Sequence, residues 1–242
     1  MLRKTPSNRV VLLALTTALL FGYIQQAPLN LLDKSRVIWS IGDSITAGTI
    51  HYNPTQPTSP KNLITNAYQY WLDYYLNSNA SALTSSRISV YNKGVPSNTC
   101  AQVDHRFDTD VGNDSIVILM CGINDFASRR TVAQVEGSIT NISKKAMAKN
   151  DSLVIMEVIP DGNGLYCASI VPFNSWLSIN FFGNPNVMIV KMHSQMSNGI
   201  DCYYNPSLYE SDGVHPNING YGKMAQFLWI RAFGEQKYSN LG

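Results

Sequence analysis

The stretch that decides the fold is Ile41–Gly48, IGDSITAG, which begins where the apolar run Val37–Ile41 ends. The apolar run predicts a β-strand, and Gly-Asp-Ser directly after it predicts a turn that leaves Ser44 at the strand's carboxyl end. A serine hydroxyl is a weak nucleophile at neutral pH, so it needs a base within hydrogen-bond reach and a third group that orients this base. The alternative is that Asp43 and Ser44 only cap a helix, as both residue types readily do.

A second stretch, Asp212–Pro216, DGVHP, places an acid three residues before a histidine. One short loop can therefore supply both a base, His215, and its orienting partner, Asp212, so the fold has to bring together only two loops. His215 is also followed by a proline that stiffens the turn, a combination that the other histidines lack: His51, His105 and His193. Two alternatives stay open, namely that His215 caps the last helix and that Asp212 is an ordinary turn residue before a glycine.

Two further segments lie between these stretches, and each follows an apolar run: Asn92–Gly94 and Gly122–Asp125. Each segment alone is a weak signal, because Gly-Asp-Ser or Gly-x-Asn-Asp often occurs by chance. Four segments in this order are a strong signal. From about Val37 to the last predicted helix, the chain resembles the SGNH hydrolases of the GDSL type, a family of esterases and lipases.

This resemblance implies a role for each residue. Ser44 would be the nucleophile, His215 the general base and Asp212 its partner. An oxyanion hole would combine the backbone N–H of Ser44, the backbone N–H of Gly94 and the side-chain amide of Asn124. The alternatives are that Gly94 serves to allow a positive φ angle and that Asn124 belongs to an ordinary turn. The resemblance implies no cofactor and no metal.

Short β-branched runs alternate with longer helical stretches along the chain. The predicted strands are Val37–Ile41, Ile88–Tyr91, Ser115–Met120, Leu153–Ile159 and Val187–Met192. The predicted helices are Asn62–Leu76, Thr99–Phe107, Val132–Lys149, Ile170–Asn180 and Asn219–Phe233. This alternation predicts an α/β fold, a three-layer α/β/α sandwich around a five-stranded parallel sheet. The resemblance adds the flavodoxin-like strand order 2-1-3-4-5. Ligands of such sheets bind at the carboxyl ends of the strands, where Ser44, Gly94 and Asn124 are all expected.

Length and composition indicate one globular domain, which we assign to residues 35–236. With 242 residues, of which 45% are hydrophobic, the chain can bury one substantial core. The formal charge is +2, and it falls to about −1 without the three basic residues before the first apolar run. The sequence has no basic stripe of the kind that would indicate a nucleic-acid partner. The sequence leaves the oligomeric state open.

Residues 1–30 have the pattern of a signal peptide. Val10–Ile24 is nearly unbroken apolar sequence that follows basic residues, and its length falls short of the ~20 residues of a spanning helix. Because Gln25-Gln26-Ala27 is a poor cleavage site, a retained N-terminal membrane anchor through residues 10–24 is the alternative. Either reading predicts an exported chain that is secreted, periplasmic or membrane-anchored outside the cytoplasm.

Export would permit disulfides, and the chain has four cysteines: Cys100, Cys121, Cys167 and Cys202. Their spacing fits neither a zinc site nor a Cys-x-x-Cys redox motif. Cys167 and Cys202 lie in Gly- and Asn-rich sequence and are the better disulfide candidates, with two unpaired cysteines as the alternative. Cys121 ends an apolar run and is expected to be a small buried hydrophobic residue.

These features predict a serine esterase that hydrolyses an acyl or acetyl ester of a small molecule, a glycan or a lipid. The pattern Gly-x-Ser-x-Gly is absent, which argues against an α/β-hydrolase. One alternative is an O-acyltransferase that uses the same site with a sugar hydroxyl as acceptor, and another is an inactive cell-surface binding module. The proline-containing loop Thr49–Lys61 follows Ser44 directly, and we expect it to form one wall of the site.

Overall fold

The computed structural model describes residues 31–48, 66–78, 87–162, 164–199 and 202–234. The strands within them are β1 (Val37–Gly42), β2 (Ser89–Gly94), β3 (Ile116–Met120), β4 (Ser152–Met156) and β5 (Val187–Val190). The α-helices, numbered over the same residues, are α1 (Leu31–Lys34), α2 (Ser44–Ala47), α3 (Tyr68–Ser78), α4 (Cys100–Asp110), α5 (Ile123–Ala127), α6 (Val132–Ala148), α7 (Cys167–Asn180), α8 (Met192–Met196) and α9 (Ile218–Leu228). A 3₁₀ turn spans Pro206–Leu208, and a π-helical turn, Trp229–Phe233, continues α9.

All five strands run parallel in the order β2-β1-β3-β4-β5, so the predicted fold class and strand order are confirmed. In the sheet register, Gly42 of β1 lies opposite Gly94 of β2 and Met120 of β3. The carboxyl ends of these three strands are therefore level with one another. The loops that follow them start from one edge of the sheet, which is where the sequence predicts the site.

Helices cover both faces of the sheet, with α3 packed against α9 and α4 packed against α6. Every residue of β3 and β4 is buried, as expected for central strands that are covered on both faces. Thr99 and Thr131 start α4 and α6 with capping boxes, which satisfy backbone groups at each helix start. One face of α9 is buried, and it includes Tyr221, Met224, Ala225 and Leu228.

Two strands end earlier than the sequence predicts. β4 ends at Met156 although residues 157–161 are also buried. The side chain of Asn174 explains this end, because it accepts from the N–H of Val158 at 3.0 Å and donates to the carbonyl of Val158 at 2.9 Å. A side chain thus replaces the neighbouring strand as hydrogen-bond partner. β5 ends at Val190 because α8 begins two residues later.

Two disulfides join the four cysteines. The Cys167–Cys202 bond is present, with a Cα–Cα distance of 5.4 Å, so the predicted pair is confirmed. The prediction for Cys121 is wrong in part: its side chain is buried, but it forms a disulfide with Cys100 across a Cα–Cα distance of 5.3 Å. The reason is the strand order, which brings the start of α4 next to the end of β3 although their strands are not neighbours.

Several predictions lie outside the described residues: the signal or anchor segment within residues 1–30, the loop Thr49–Lys61 and the first residues of the helix predicted from Asn62. Within the described ranges, no helix combines the length and the apolar character needed to cross a membrane. The domain limits of 35 and 236 stay a prediction.

Candidate active site

Ser44 is the first residue of the short helix α2, and its neighbour Asp43 caps this helix. The Asp43 carboxylate accepts from the backbone N–H of Ile45 at 2.9 Å. The capping role that the sequence allowed for both residues thus belongs to Asp43. The hydroxyl of Ser44 instead lies 2.9 Å from Nε2 of His215. Strand, turn and cap together present the hydroxyl at the carboxyl edge of the sheet.

The side chain of His215 is held on its other side by Asp212. Nδ1 of His215 lies 2.6 Å from Oδ2 of Asp212, while Oδ1 accepts from the backbone N–H groups of Val214 at 2.9 Å and His215 at 3.0 Å. Partial burial opposes the charged carboxylate, but the hydrogen bonds from His215 and Val214 outweigh it and lower the pKa of Asp212. An ionised Asp212 fixes the proton of the neutral imidazole on Nδ1 and leaves Nε2 as an acceptor.

Residues 208–217, which we call the His215 hairpin, form a turn whose ends are paired. Tyr209 and Pro216 make an antiparallel bridge, and the N–H of Glu210 donates to the carbonyl of His215 at 2.8 Å. Gly213 at the tip has a φ of 68°, which glycine adopts at little cost. The hairpin therefore holds Asp212 and His215 on one side of a tight turn.

The loop after β4 supports this hairpin. The N–H of Gly162 donates to the carbonyl of Gly213 at 2.6 Å, and a Cβ at Gly162 would lie 2.8 Å from the Cα of Gly213. The hydroxyl of Tyr209 donates to the carbonyl of Pro160 at 2.9 Å. The Cys167–Cys202 disulfide joins the same loop region to the chain that leads into the hairpin.

Asn124 lies at the start of α5, directly after the end of β3. Its side-chain amide donates to the carbonyl of Asn98 at 3.1 Å, which leaves a second amide hydrogen for another acceptor. Its neighbour Asp125 is fully buried, where it accepts from the N–H of Cys100 at 2.7 Å and pairs with Arg130 at 3.1 Å. Burial raises the pKa of Asp125 against these two interactions. Asp125 is thus a structural link between α4 and α5.

Gly94 does not present a free N–H group to the site. Its N–H donates to the side chain of Asn92 at 2.9 Å. A Cβ at Gly94 would lie 2.1 Å from the backbone nitrogen of Ala47, so a glycine is needed here for the close contact between β2 and α2. Its φ is not positive. Both readings of Gly94 from the sequence therefore differ from its place in the structure.

The next turn contains a residue that the sequence reading missed. Asn98 donates through its N–H to the carbonyl of Val95 at 3.2 Å, which closes a four-residue turn with Pro96 second and Ser97 third. Ser97 has a φ of 64°, in the position where type II turns place glycine or asparagine. Within the described residues, the N–H of Ser97 has no hydrogen-bond partner. The sequence Val-Pro-Ser-Asn is typical of such a turn. The sequence analysis instead placed the oxyanion N–H at Gly94, the residue directly before it.

Asp43 is the most strongly perturbed acid next to Ser44. Burial raises the pKa of Asp43 to about 7. The Ile45 N–H and His215 oppose this rise, and the negative charge of Asp125 reinforces it.

The remaining described histidines lie elsewhere: His105 is exposed on α4, and the Nδ1 of buried His193 is 2.8 Å from the carbonyl of Val158. Among the described residues, no three metal-ligating side chains form a cluster.

A serine, a histidine and an aspartate thus lie in one row of hydrogen bonds at the carboxyl edge of a doubly wound parallel sheet, the edge where such sheets bind ligands. The family model for the GDSL-like lipase/acylhydrolase family matches residues 40–223. The chain therefore belongs to this family, and it is a GDSL-type hydrolase.

Solved structures of low sequence identity share the fold. A lipolytic protein of the G-D-S-L family from Desulfitobacterium hafniense matches with a TM-score of 0.62 at 21% identity, over 81% of this chain and 99% of that one. An acetylxylan esterase from Geobacillus stearothermophilus matches with a TM-score of 0.64 at 18% identity, over 81% and 94%. An acylhydrolase from Bacteroides fragilis matches with a TM-score of 0.61 at 18% identity, over 89% and 98%. A search of curated proteins finds no match.

Proposed function

We propose that this protein is a serine esterase that hydrolyses a carboxylic ester through Ser44, His215 and Asp212. The observation that carries the proposal is the row of two hydrogen bonds, Ser44 Oγ to His215 Nε2 at 2.9 Å and His215 Nδ1 to Asp212 at 2.6 Å. A nucleophile, a base and a group that orients the base are the parts that this chemistry needs. Membership of an acylhydrolase family supports the reaction class.

The reaction would proceed in two halves. Ser44 Oγ attacks the ester carbonyl carbon while His215 Nε2 takes the hydroxyl proton, and the charged imidazolium is stabilised by Asp212. The tetrahedral intermediate then collapses as Nε2 returns the proton to the leaving alcohol. In the second half, Nε2 takes a proton from a water molecule that attacks the acyl group on Ser44. The second tetrahedral intermediate then breaks its bond to Ser44 Oγ, Nε2 returns the proton to this oxygen, and the free acid leaves. General base assistance of this kind is worth about 10²–10⁴-fold in rate.

The oxyanion of each intermediate needs donors that are fixed before it forms. The N–H of Ser44 at the start of α2 and the second amide hydrogen of Asn124 are the first two donors that we propose. For the third donor we propose the N–H of Ser97 in place of Gly94, whose N–H is bound to Asn92. Replacing the amide at residue 97 by an ester bond removes this hydrogen alone, and it should lower kcat. An equal loss from the same replacement at Gly94, rather than at Ser97, would reverse the assignment.

For the substrate we propose a small acyl group on a polar carrier, such as an acetylated sugar. A structurally similar protein is an acetylxylan esterase, and the Thr-, Asn- and Pro-rich stretch after Ser44 is polar. The same residues could pass the acyl group to a sugar hydroxyl instead of water, which makes acyl transfer the second candidate. Product analysis with and without added sugar acceptors separates the two reactions.

The first experiment measures hydrolysis of p-nitrophenyl esters from acetate to palmitate by the wild type, by Ser44→Ala and by Ser128→Ala. Ser128 is an exposed serine at the end of α5 and serves as the matched control. We expect turnover that falls with acyl length and a loss of about 10⁴–10⁶-fold in Ser44→Ala only. Substantial turnover by folded Ser44→Ala would overturn the proposal, and full activity on palmitate would overturn the preference for small acyl groups.

We also propose that the chain acts outside the cytoplasm. Two disulfides support this proposal, since such bonds persist in oxidising compartments. Two measurements on protein from the natural source test it. One is mass spectrometry of unreduced peptides, and the other is identification of the N-terminal residue of the mature chain. Four free thiols in cytoplasmic protein would contradict the proposal.

A further inference from the structure

Arg106 on α4 makes an unusual set of contacts beneath the site. Its side chain is only 17% exposed, and three of its nitrogens donate in different directions. Nη2 donates to the carbonyl of Gly42 at 2.8 Å, Nη1 to the carbonyl of Lys93 at 2.8 Å, and Nε to the side-chain oxygen of Asn98 at 2.8 Å. Nη1 also pairs with Asp110 one turn later on the same helix. One guanidinium thus reaches the ends of two strands and the following loop.

The acceptors of Arg106 lie next to the groups that perform the proposed chemistry. Gly42 is the last residue of β1, two residues before Ser44, and its carbonyl also accepts from the N–H of Val95 at 3.0 Å. Asn98 closes the turn that contains Ser97, and its carbonyl accepts from Asn124. The contacts of Arg106 therefore join the nucleophile turn to the turn and the side chain that we propose as oxyanion donors.

We propose that Arg106 is a positioning residue of the esterase, which fixes the distance between Ser44 and the oxyanion donors without touching the substrate. This inference rests on the proposed function. Catalysis by positioned groups is sensitive to small displacements, and a shift of about 1 Å from a distant mutation can lower the rate by about 10²-fold. Loss of Arg106 removes the contacts to both turns at once. We therefore expect it to slow the step in which Ser44 attacks the ester and the oxyanion donors bind the developing charge.

Arginine suits this position for a geometric reason. The guanidinium is planar and presents five N–H groups in a fixed fork, so it can serve acceptors on three sides, whereas lysine concentrates its donors on one nitrogen. The charge is balanced within the helix by Asp110. A lysine at residue 106 would keep the charge near Asp110 and would lose the simultaneous contacts to Gly42, Lys93 and Asn98.

The test compares Arg106→Met and Arg106→Lys with a matched control, Lys145→Met. Lys145 is a half-buried cation that also contacts α4, through an ion pair with Asp104 at 2.8 Å, but it reaches none of the strand ends. We expect both Arg106 variants to lose about 10²-fold in kcat with an unchanged KM for p-nitrophenyl acetate. We expect the control to keep the kcat of the wild type even where its thermal stability falls.

Chemical rescue separates positioning from folding. Ethylguanidinium added to folded Arg106→Ala should restore part of kcat, and the same concentration of ethylammonium should not. If Arg106→Met does not fold, Arg106→Lys and the rescue of Arg106→Ala carry the test. An active wild type together with Arg106→Lys at full kcat would overturn the inference and leave the esterase proposal standing. A wild type that hydrolyses no ester and whose Ser44 resists a fluorophosphonate would overturn both.

Discussion

The two halves of the site are fixed in opposite ways. The Asn124 loop pair, residues 95–100 and 121–125, is built into the core: Cys100, Cys121 and Asp125 are buried, and a disulfide joins the two loops. The His215 hairpin lies at the surface, where half of the Asp212 side chain is exposed. Its contacts with the rest of the molecule include the N–H of Gly162, the hydroxyl of Tyr209 and the hydroxyl of Ser44, and the second disulfide holds the chain that leads into it.

This difference explains how each half of the site is held in position. The donors of an oxyanion hole must be rigid before the charge develops, and a buried pair of linked loops provides this rigidity as part of folding. A base has to accept and return protons, which a partly exposed histidine can do so long as its distance to Ser44 is kept. We therefore expect changes in the loop pair to affect stability and kcat together, and changes in the hairpin to affect kcat first.

The largest effect is expected at the hairpin itself. His215→Gln removes the proposed base, and it should lower kcat by about 10⁴–10⁶-fold, close to the loss in Ser44→Ala. Asp212→Asn should lose less, about 10²–10⁴-fold, because the imidazole remains but its tautomer is no longer fixed. Thermal unfolding should be nearly unchanged in both variants, and steady-state kinetics check the order. An Asp212→Asn loss larger than that of His215→Gln would contradict the assigned roles.

The second effect concerns the loop pair. Asn124→Ala removes one proposed oxyanion donor, so it should lower kcat by about 10²–10³-fold and leave KM nearly unchanged. It should also destabilise the protein, because its amide no longer binds the carbonyl of Asn98. Asn174→Ala, which removes another asparagine that binds backbone groups, at Val158, is the comparison for the loss of stability. A change confined to KM in Asn124→Ala would show that Asn124 binds the ground-state ester.

The two disulfides should differ in a third, smaller effect. Each disulfide closes a loop, and the chain-entropy model gives each a stabilisation of about 3–4 kcal/mol. Cys100–Cys121 is buried, whereas Cys167 and Cys202 are partly exposed. A mild reductant should open Cys167–Cys202 first and lower kcat several-fold before the domain unfolds. Mass spectrometry after alkylation shows the order in which the disulfides open, and parallel activity and circular dichroism measurements show when activity falls and when the domain unfolds. Loss of activity that coincides with unfolding would show that this disulfide does not hold the hairpin.

The smallest effect on activity is expected from Asp43→Asn, which keeps an oxygen to cap α2. The raised pKa of Asp43, from 3.8 to about 7, means that the folded state binds the proton more tightly than the unfolded state. The carboxyl therefore lowers stability progressively as pH rises from about 4 to 7, by an amount on the order of 4 kcal/mol. The stability gain of Asp43→Asn should grow over this range in urea titrations. Parallel curves for both proteins would mean that Asp43 has an ordinary pKa.

The sequence predicted the fold, and it predicted that Ser44, Asp212 and His215 lie together, because these depend on local pattern and chain order. Apolar runs between helical stretches identified all five strands, and each of Ser44, Asp212 and His215 followed from its neighbours along the chain. What the sequence could not give depends on contacts between distant segments. The end of β4 depends on Asn174, and the partner of Cys121 depends on the strand order.

The structure differs from the interpretation of Gly94 for a related physical reason. A glycine can serve a close backbone contact, a positive φ or a free N–H group, and the sequence does not distinguish these uses. Here the close contact to Ala47 requires the glycine, while the positive φ lies at Ser97. The contacts of Arg106 were likewise not predictable, because three of its four acceptors come from two strands and a turn.

The central claim is that His215 activates Ser44 as a nucleophile. The most direct measurement is the rate at which a fluorophosphonate modifies the protein, with the modified residue identified by peptide mass spectrometry. We predict one adduct on Ser44 in the wild type, a labelling rate lower by orders of magnitude in His215→Gln, and no adduct in Ser44→Ala. An adduct on another residue, or equal rates in the wild type and His215→Gln, would contradict the claim.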